Sequence, residues 1–172
     1  MDIPQFNGGW SYTQREMNDL FKHIEYKDNY SIIEFGAGDS SIKLFNHFKK
    51  YVKNLNYTIY ESNYNYLPSN TCDYDIYFYN EEDIINTTMP SKIYDLVLID
   101  GPNGDKRKYW YSKLKPCIKK GTILLIDDFN HFQSFSDELD KNFEYQLLEY
   151  HDEPFIAFGE HSWKIVKIIC TK

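Results

Sequence analysis

Ser31-Ile32-Ile33-Glu34-Phe35-Gly36-Ala37-Gly38-Asp39-Ser40-Ser41 constrains this chain more than any other stretch. A short apolar run ends in an acid, and a Gly-x-Gly turn follows. Small polar residues then open a helix-compatible segment from Ile42 to Val52. That order reads as strand, tight loop and helix N-terminus, as in a nucleotide-binding βαβ unit. The glycines let backbone approach a ligand closely and take unusual torsions. A lone Gly-x-Gly is common in tight turns, so its weight comes from its position after a strand and before a helix.

The remaining pattern extends this unit. Residues 12–26 place Met17, Leu20, Phe21 and Ile24 at helical spacing. Further strands are predicted at Tyr57–Glu61, Asp75–Tyr79, Tyr94–Asp100 and Thr122–Asp127. A helix falls near Lys106–Ile118, ended by Pro116, and a short one near Phe132–Leu139. Asp39 or Ser40 is positioned to cap the helix after the glycine turn. Continuous apolar strands alternating with helices imply an α/β fold with a parallel sheet covered on both faces. The last two strands, about 144–150 and 163–169, are joined by a loop from His151 to Ser162 without helical pattern. They are expected to pair antiparallel. With 172 residues, 42% of them hydrophobic, one domain spanning 1–172 is expected, with 1–30 as an N-terminal helix and lid segment.

Charge narrows the partners. The net charge is −7 and the pI about 5.2, against a protein whose main task is gripping nucleic acid. The basic run Lys106-Arg107-Lys108, extended by Lys113, Lys115, Lys119 and Lys120, reads as the solvated face of a helix. Cys72, Cys117 and Cys170 are far apart and form no CxxC, which excludes a zinc site or a disulfide framework and suits a reducing, cytoplasmic compartment. No signal peptide or membrane-spanning run is visible, so no membrane partner is expected. Aromatics reach 18%. Because Asn, Ile, Lys and Tyr run high together, this reads either as coding bias or as a stacking surface.

In an open α/β sheet, ligands bind beyond the carboxyl ends of the strands. Each of the first five strands here is followed by acid: Glu34, Glu61, Glu81-Glu82-Asp83, Asp100 and Asp127-Asp128. Glu61 falls where an acid can pair a ribose diol. Glu34 at the loop would disfavour a pyrophosphate and suit the cationic amino group of a sulfonium amino acid. A dinucleotide oxidoreductase is therefore the weaker reading.

Glu34-Phe35-Gly36-Ala37-Gly38 resembles the first motif of class I S-adenosylmethionine-dependent methyltransferases. The resemblance covers roughly Gly8 to Asp128. It implies a Rossmann-like three-layer sandwich with a seven-stranded sheet of order 3-2-1-4-5-7-6 and an antiparallel C-terminal strand. It implies a donor site at Glu34, Gly36, Ala37, Gly38, Ser40, Ser41 and Asp100. Glu61 would sit on the ribose and Asp83 near the adenine amino group.

Val97-Leu98-Ile99-Asp100-Gly101 and Gly121-Thr122-Ile123-Leu124-Leu125-Ile126-Asp127-Asp128 resemble small catechol-type O-methyltransferases and their sugar-modifying relatives. That resemblance implies a divalent metal, Mg²⁺ or Mn²⁺, on Asp100, Asp127 and Asp128. Adjacent parallel strands would bring these carboxylates close, and they repel unless a cation neutralises them. Oxygen-only ligands suit a hard ion. Asp100 beside a methionine moiety, and Asp127 or Asp128 as a helix cap, is the alternative. The catechol-type enzymes carry a lysine where this chain has Asn103, which leaves Lys106, His131 or Asp100 as the base. Gly8-Gly9-Trp10-Ser11-Tyr12 resembles the segment before the first helix in glycan and antibiotic-sugar methyltransferases. It reads as a lid over the donor, or as Trp10 packing the helix onto the sheet.

The expected function is O-methylation of a small molecule or saccharide. An RNA cap or ribose methyltransferase and a catalytically silent binding module are the rivals. The oligomeric state has no signature in the sequence.

Overall fold

The computed structural model describes residues 3–6, 12–69, 71–102, 104–153 and 161–172. One seven-stranded sheet organises them. Its strands are β1 (Asn29–Phe35), β2 (Asn54–Glu61), β3 (Asp75–Phe78), β4 (Tyr94–Ile99), β5 (Ile118–Asp127), β6 (Phe143–Glu153) and β7 (His161–Thr171). The order is β3-β2-β1-β4-β5-β7-β6, as expected. The pairs among β1 to β5 are parallel, and β7 runs antiparallel to both β5 and β6.

The four α-helices split between the two faces. Side chains alternate along each strand, so odd and even positions face different layers. Ile32, Leu96, Leu98, Ile123 and Leu125 pack with Met17 and Leu20 of α1 (Gln14–Phe21) and Leu44 and Phe48 of α2 (Asp39–Tyr51). Ile33, Phe35, Val97, Ile99, Leu124 and Ile126 pack with Trp110 and Leu114 of α3 (Tyr109–Leu114) and Phe135 and Leu139 of α4 (Gln133–Asn142). The same alternation assigns Glu34 and Asp127 to the α1–α2 face. Each is the one acid of its strand.

Two helical expectations are corrected. The segment after β4 is not one helix from Lys106. A 3₁₀ turn covers Gly104–Lys108, α3 follows, and a second 3₁₀ turn at Lys115–Cys117 takes Pro116, whose ring nitrogen has no hydrogen to continue an α-helix. At α2 the N-cap is Gly38 rather than Asp39 or Ser40. There the Ser41 hydroxyl accepts from the Gly38 N–H at 3.1 Å, while the Ser41 N–H donates to the Gly38 carbonyl at 3.1 Å. Among the described residues no helix is long and apolar enough to cross a membrane. All three cysteines are free thiols. The segment Gly8–Ser11, with its two lid or packing readings, and residue Asn103 lie outside the described residues, as does 154–160 of the expected loop.

Candidate active site

The strand order reverses between β1 and β4, and the loops after these parallel strands are held against each other. Gly36 has φ +92°, which a β-carbon would strain. A β-carbon there would also come within 2.9 Å of the Gly101 nitrogen, and one on Gly101 within 2.9 Å of the Gly36 Cα. The Phe35 carbonyl accepts from both the Asp100 and Gly101 N–H groups. Beneath them Trp110 stacks on Phe35 at 4.2 Å and donates its indole N–H to the Gly101 carbonyl at 3.0 Å. Gly38 differs: a β-carbon on it would meet nothing within 4 Å. The loop is thus closed below and open above.

Glu34 lies under this loop rather than at its mouth. It is 1% exposed and accepts the Tyr57 hydroxyl at 2.8 Å and the Ser41 side chain. Burial pushes its carboxyl up to about 8, against the pull of those two hydrogen bonds. Ser41 therefore links Glu34 to the Gly38 N–H. Ser40 is buried in the first turn of α2, and Ala37 donates its N–H to Glu61 at 2.7 Å.

Glu61, 4% exposed, ends β2. One oxygen accepts the Ala37 N–H, and the other accepts the Ser62 and Asn63 N–H groups at 2.7 and 2.6 Å. Beside it a cleft of about 400 Å³ is lined by Ser62, Asn63, Tyr64, Tyr79, Asn80, Glu81 and Glu82. Asp83 is exposed, accepts from the Asn86 side chain at 2.5 Å, and does not line this cleft.

The acids after β4 and β5 converge as the sequence implied. Carboxylate oxygens of Asp100, Asp127 and Asp128 lie within 4.8 Å of one another. Asp128 adopts φ +53°, a left-handed turn that aspartate tolerates. Burial raises the Asp100 carboxyl, opposed by the nearby guanidinium of Arg107. Burial raises Asp127 further, helped by the charges of Glu16, Asp100 and Asp128.

Sequence reasoning missed two members of this cluster. Arg107, read there as part of a solvated helix face, is 3% exposed; its guanidinium stands 3.5 Å from Asp100 and 3.2 Å from Asp128. Glu16 of α1 is 1% exposed. One of its oxygens completes a capping box with Thr13, and the other has no partner among the described residues. The pattern Thr13-x-x-Glu16 was the readable signal for it. The fully buried Tyr12 hydroxyl also lacks a partner there, as does the Trp163 indole N–H, whose residue pairs with Asp127 in register.

The candidate bases separate. Lys106 turns away from the acids and pairs with Glu82 at 2.6 Å on the rim of the 400 Å³ cleft. His131 stays beside them, with Nδ1 3.7 Å from an Asp128 oxygen and the ring 34% exposed. Next to it a groove of about 670 Å³ runs between Phe129, Asn130, Phe132, Gln133, Tyr150 and Asp152. Asn130 ties this edge down by donating to Ser162 and Tyr150 at 3.0 and 2.7 Å.

No protein-family model matches the sequence, and no curated protein matches it. Solved structures do match the fold. A TehB-like SAM-dependent methyltransferase from Corynebacterium glutamicum aligns with a TM-score of 0.60 at 12% identity, over 89% of this chain and 86% of that one. The N-methyltransferase NodS from Bradyrhizobium japonicum, in complex with S-adenosyl-L-homocysteine, aligns at 0.56 and 9%, over 90% and 86%. An rRNA methylase from Streptococcus thermophilus aligns at 0.58 and 8%, over 88% and 93%. At such identities the likeness is one of fold, and these proteins differ in what they methylate. The chain has the class I fold of the S-adenosylmethionine-dependent methyltransferases.

Proposed function

We propose that this protein transfers a methyl group from S-adenosylmethionine to a hydroxyl of a small molecule or a sugar. The observation that carries this reading is the loop Gly36-Ala37-Gly38. It is locked from below by Gly101 and opens above Gly38 into space a β-carbon would occupy. Ser41 caps the start of α2 at that opening, and Ser40 is buried beside it. Among the described residues one Glu61 oxygen accepts only the Ala37 N–H, and its remaining lone pair can receive a ribose hydroxyl. The cleft between Tyr64 and Tyr79 would take the base, with Glu81 and Glu82 in the role first expected of Asp83. Asp100 adds negative charge where a sulfonium would lie. The bound donor supplies an electrophilic methyl carbon.

The 670 Å³ groove is the acceptor side of this reading. Its exposed aromatics Phe132 and Tyr150 offer ring faces, and Asn130, Gln133 and Asp152 offer hydrogen bonds, as a polyhydroxylated ring requires. His131 lies between the groove-lining Asn130 and Phe132 with Nδ1 3.7 Å from an Asp128 oxygen, and its Nε2 would take the acceptor's hydroxyl proton. The O–C bond forms as the C–S bond breaks. Holding both partners in line supplies much of the acceleration.

Support for a small acceptor comes from charge. Arg107 is buried, Lys106 pairs with Glu82, Lys108 with Asp105, and Lys113 donates to the Ile85 and Thr87 carbonyls. Four members of the basic run, Lys106, Arg107, Lys108 and Lys113, are thus engaged within the chain. The oxygen-only set Asp100, Asp127 and Asp128 would suit a hard divalent ion, but Arg107 stands among the same carboxylates, and the steps above use the protein's own groups.

Calorimetric titration with S-adenosylhomocysteine tests the donor site. Saturable binding with a dissociation constant below about 100 μM is expected, and no heat at about 1 mM ligand would overturn the reading. A screen of hydroxylated acceptors, read by release of S-adenosylhomocysteine, tests the transfer.

A further inference from the structure

Arg107 is one of only two arginines in a chain with 19 basic residues, and it is the buried one of the cluster. All three of its guanidinium nitrogens are engaged. Nε donates to the Pro102 carbonyl at 2.8 Å and Nη1 to the Asp127 carbonyl at 2.9 Å. Nη2 lies 3.2 Å from an Asp128 oxygen and 3.5 Å from an Asp100 oxygen. The two carbonyl bonds fix the plane of the group, and the fixed plane directs Nη2 between the two carboxylates. A buried guanidinium held by four residues is a built part of the site rather than a chance surface pair.

This placement competes with a metal ion. A hard divalent cation bridging Asp100 and Asp128 needs their oxygens at about 2.0–2.6 Å. It would have to sit in the space that Nη2 already faces, next to a fixed positive charge that cannot be lost by deprotonation. Either cation neutralises the converging carboxylates, and the chain carries one of its own.

We propose that Arg107 is the resident cation of this acidic site, and that Asp100, Asp127 and Asp128 bind no divalent ion while Arg107 is in place. The guanidinium then holds the ends of β4 and β5 together as a metal would. Metal exclusion by the acid cluster is read on the free protein, without donor or acceptor. Failure of methyl transfer and failure of this proposal are therefore separate results.

Electron paramagnetic resonance of Mn²⁺ reads the site directly, since bound ion loses the six-line signal of free ion. The unaltered protein is expected to leave the signal unchanged at about 100 μM ion, and its melting temperature unmoved by about 10 mM Mg²⁺. Arg107→Gln, which removes the charge and keeps a hydrogen-bonding amide, is expected to bind Mn²⁺ at least about tenfold more tightly, and Asp127→Asn in that background to abolish the gain. Stoichiometric Mn²⁺ binding by the unaltered protein, lost on Asp127→Asn, would overturn the proposal. A folded Arg107→Gln protein that gains no affinity would overturn it as well. If Arg107→Gln does not fold, the two measurements on the unaltered protein decide.

Discussion

Gly36 and Gly101 meet backbone to backbone: a β-carbon on either would approach the other to 2.9 Å. They sit where β1 and β4 leave the sheet side by side, and no side chain fits between them. Gly38, two residues on, has open space instead. Substituting these three glycines should therefore have opposite consequences. Gly36→Ala and Gly101→Ala are expected to cost about 2–4 kcal/mol in urea unfolding, from overpacking against backbone and, at Gly36, the positive φ. Gly38→Ala should unfold like the unaltered protein and bind S-adenosylhomocysteine at least about tenfold more weakly. A Gly38→Ala protein with unchanged affinity would remove the donor from this loop.

Glu34 should make stability depend on pH in an unusual direction. Its carboxyl is raised to about 8 in the fold, above its ordinary value when unfolded. Between those values the folded state holds the extra proton, so its contribution to stability is full on the acid side and declines as pH rises toward 8. The slope from this group is at most about 1.4 kcal/mol per pH unit. Chemical denaturation across pH 5–8 should show the decline. Glu34→Gln, whose carbonyl can still accept from Tyr57, should flatten it. An equal slope in both proteins would assign the pH dependence elsewhere.

His131→Asn tests the proton acceptor. The rate of methyl transfer should fall by about 10²- to 10⁴-fold while affinity for S-adenosylhomocysteine is unchanged. Lys106→Ala, which removes only a rim pair with Glu82, should leave the rate within about threefold of the unaltered protein.

Capped RNA should not be retained on filters at about 0.15 M salt, because Lys106, Arg107, Lys108 and Lys113 are bonded within the chain and the net charge is −7. Salt-sensitive retention in the micromolar range would favour a nucleic-acid acceptor instead.

Much of the fold was legible because parallel strands buried on both faces read as apolar runs. Tyr94–Ile99 is buried throughout. The acids after the strands were legible for a related reason: they interrupt those runs at their ends. Arg107 was not. Flanked by Lys106 and Lys108, it has the local pattern of a solvated face, and only the fold brings it to Asp100 and Asp128. For Asp83, expected near the adenine, local spacing does not say which way a 3₁₀ segment turns. The segment Glu81–Asn86 kinks at Asp83, and the preceding acids line the cleft.

The reversal of strand order between β1 and β4 also divides the proposed tasks along the chain. Everything proposed to hold the donor comes from Gly36 to Glu82, on one side of the reversal, apart from Asp100. Everything proposed to meet the acceptor comes from Asp127 to Lys164, on the other. Substitutions in the second stretch can then retune what is methylated without disturbing the donor. A lineage built on this sheet could change substrates by drift in its last fifty residues alone.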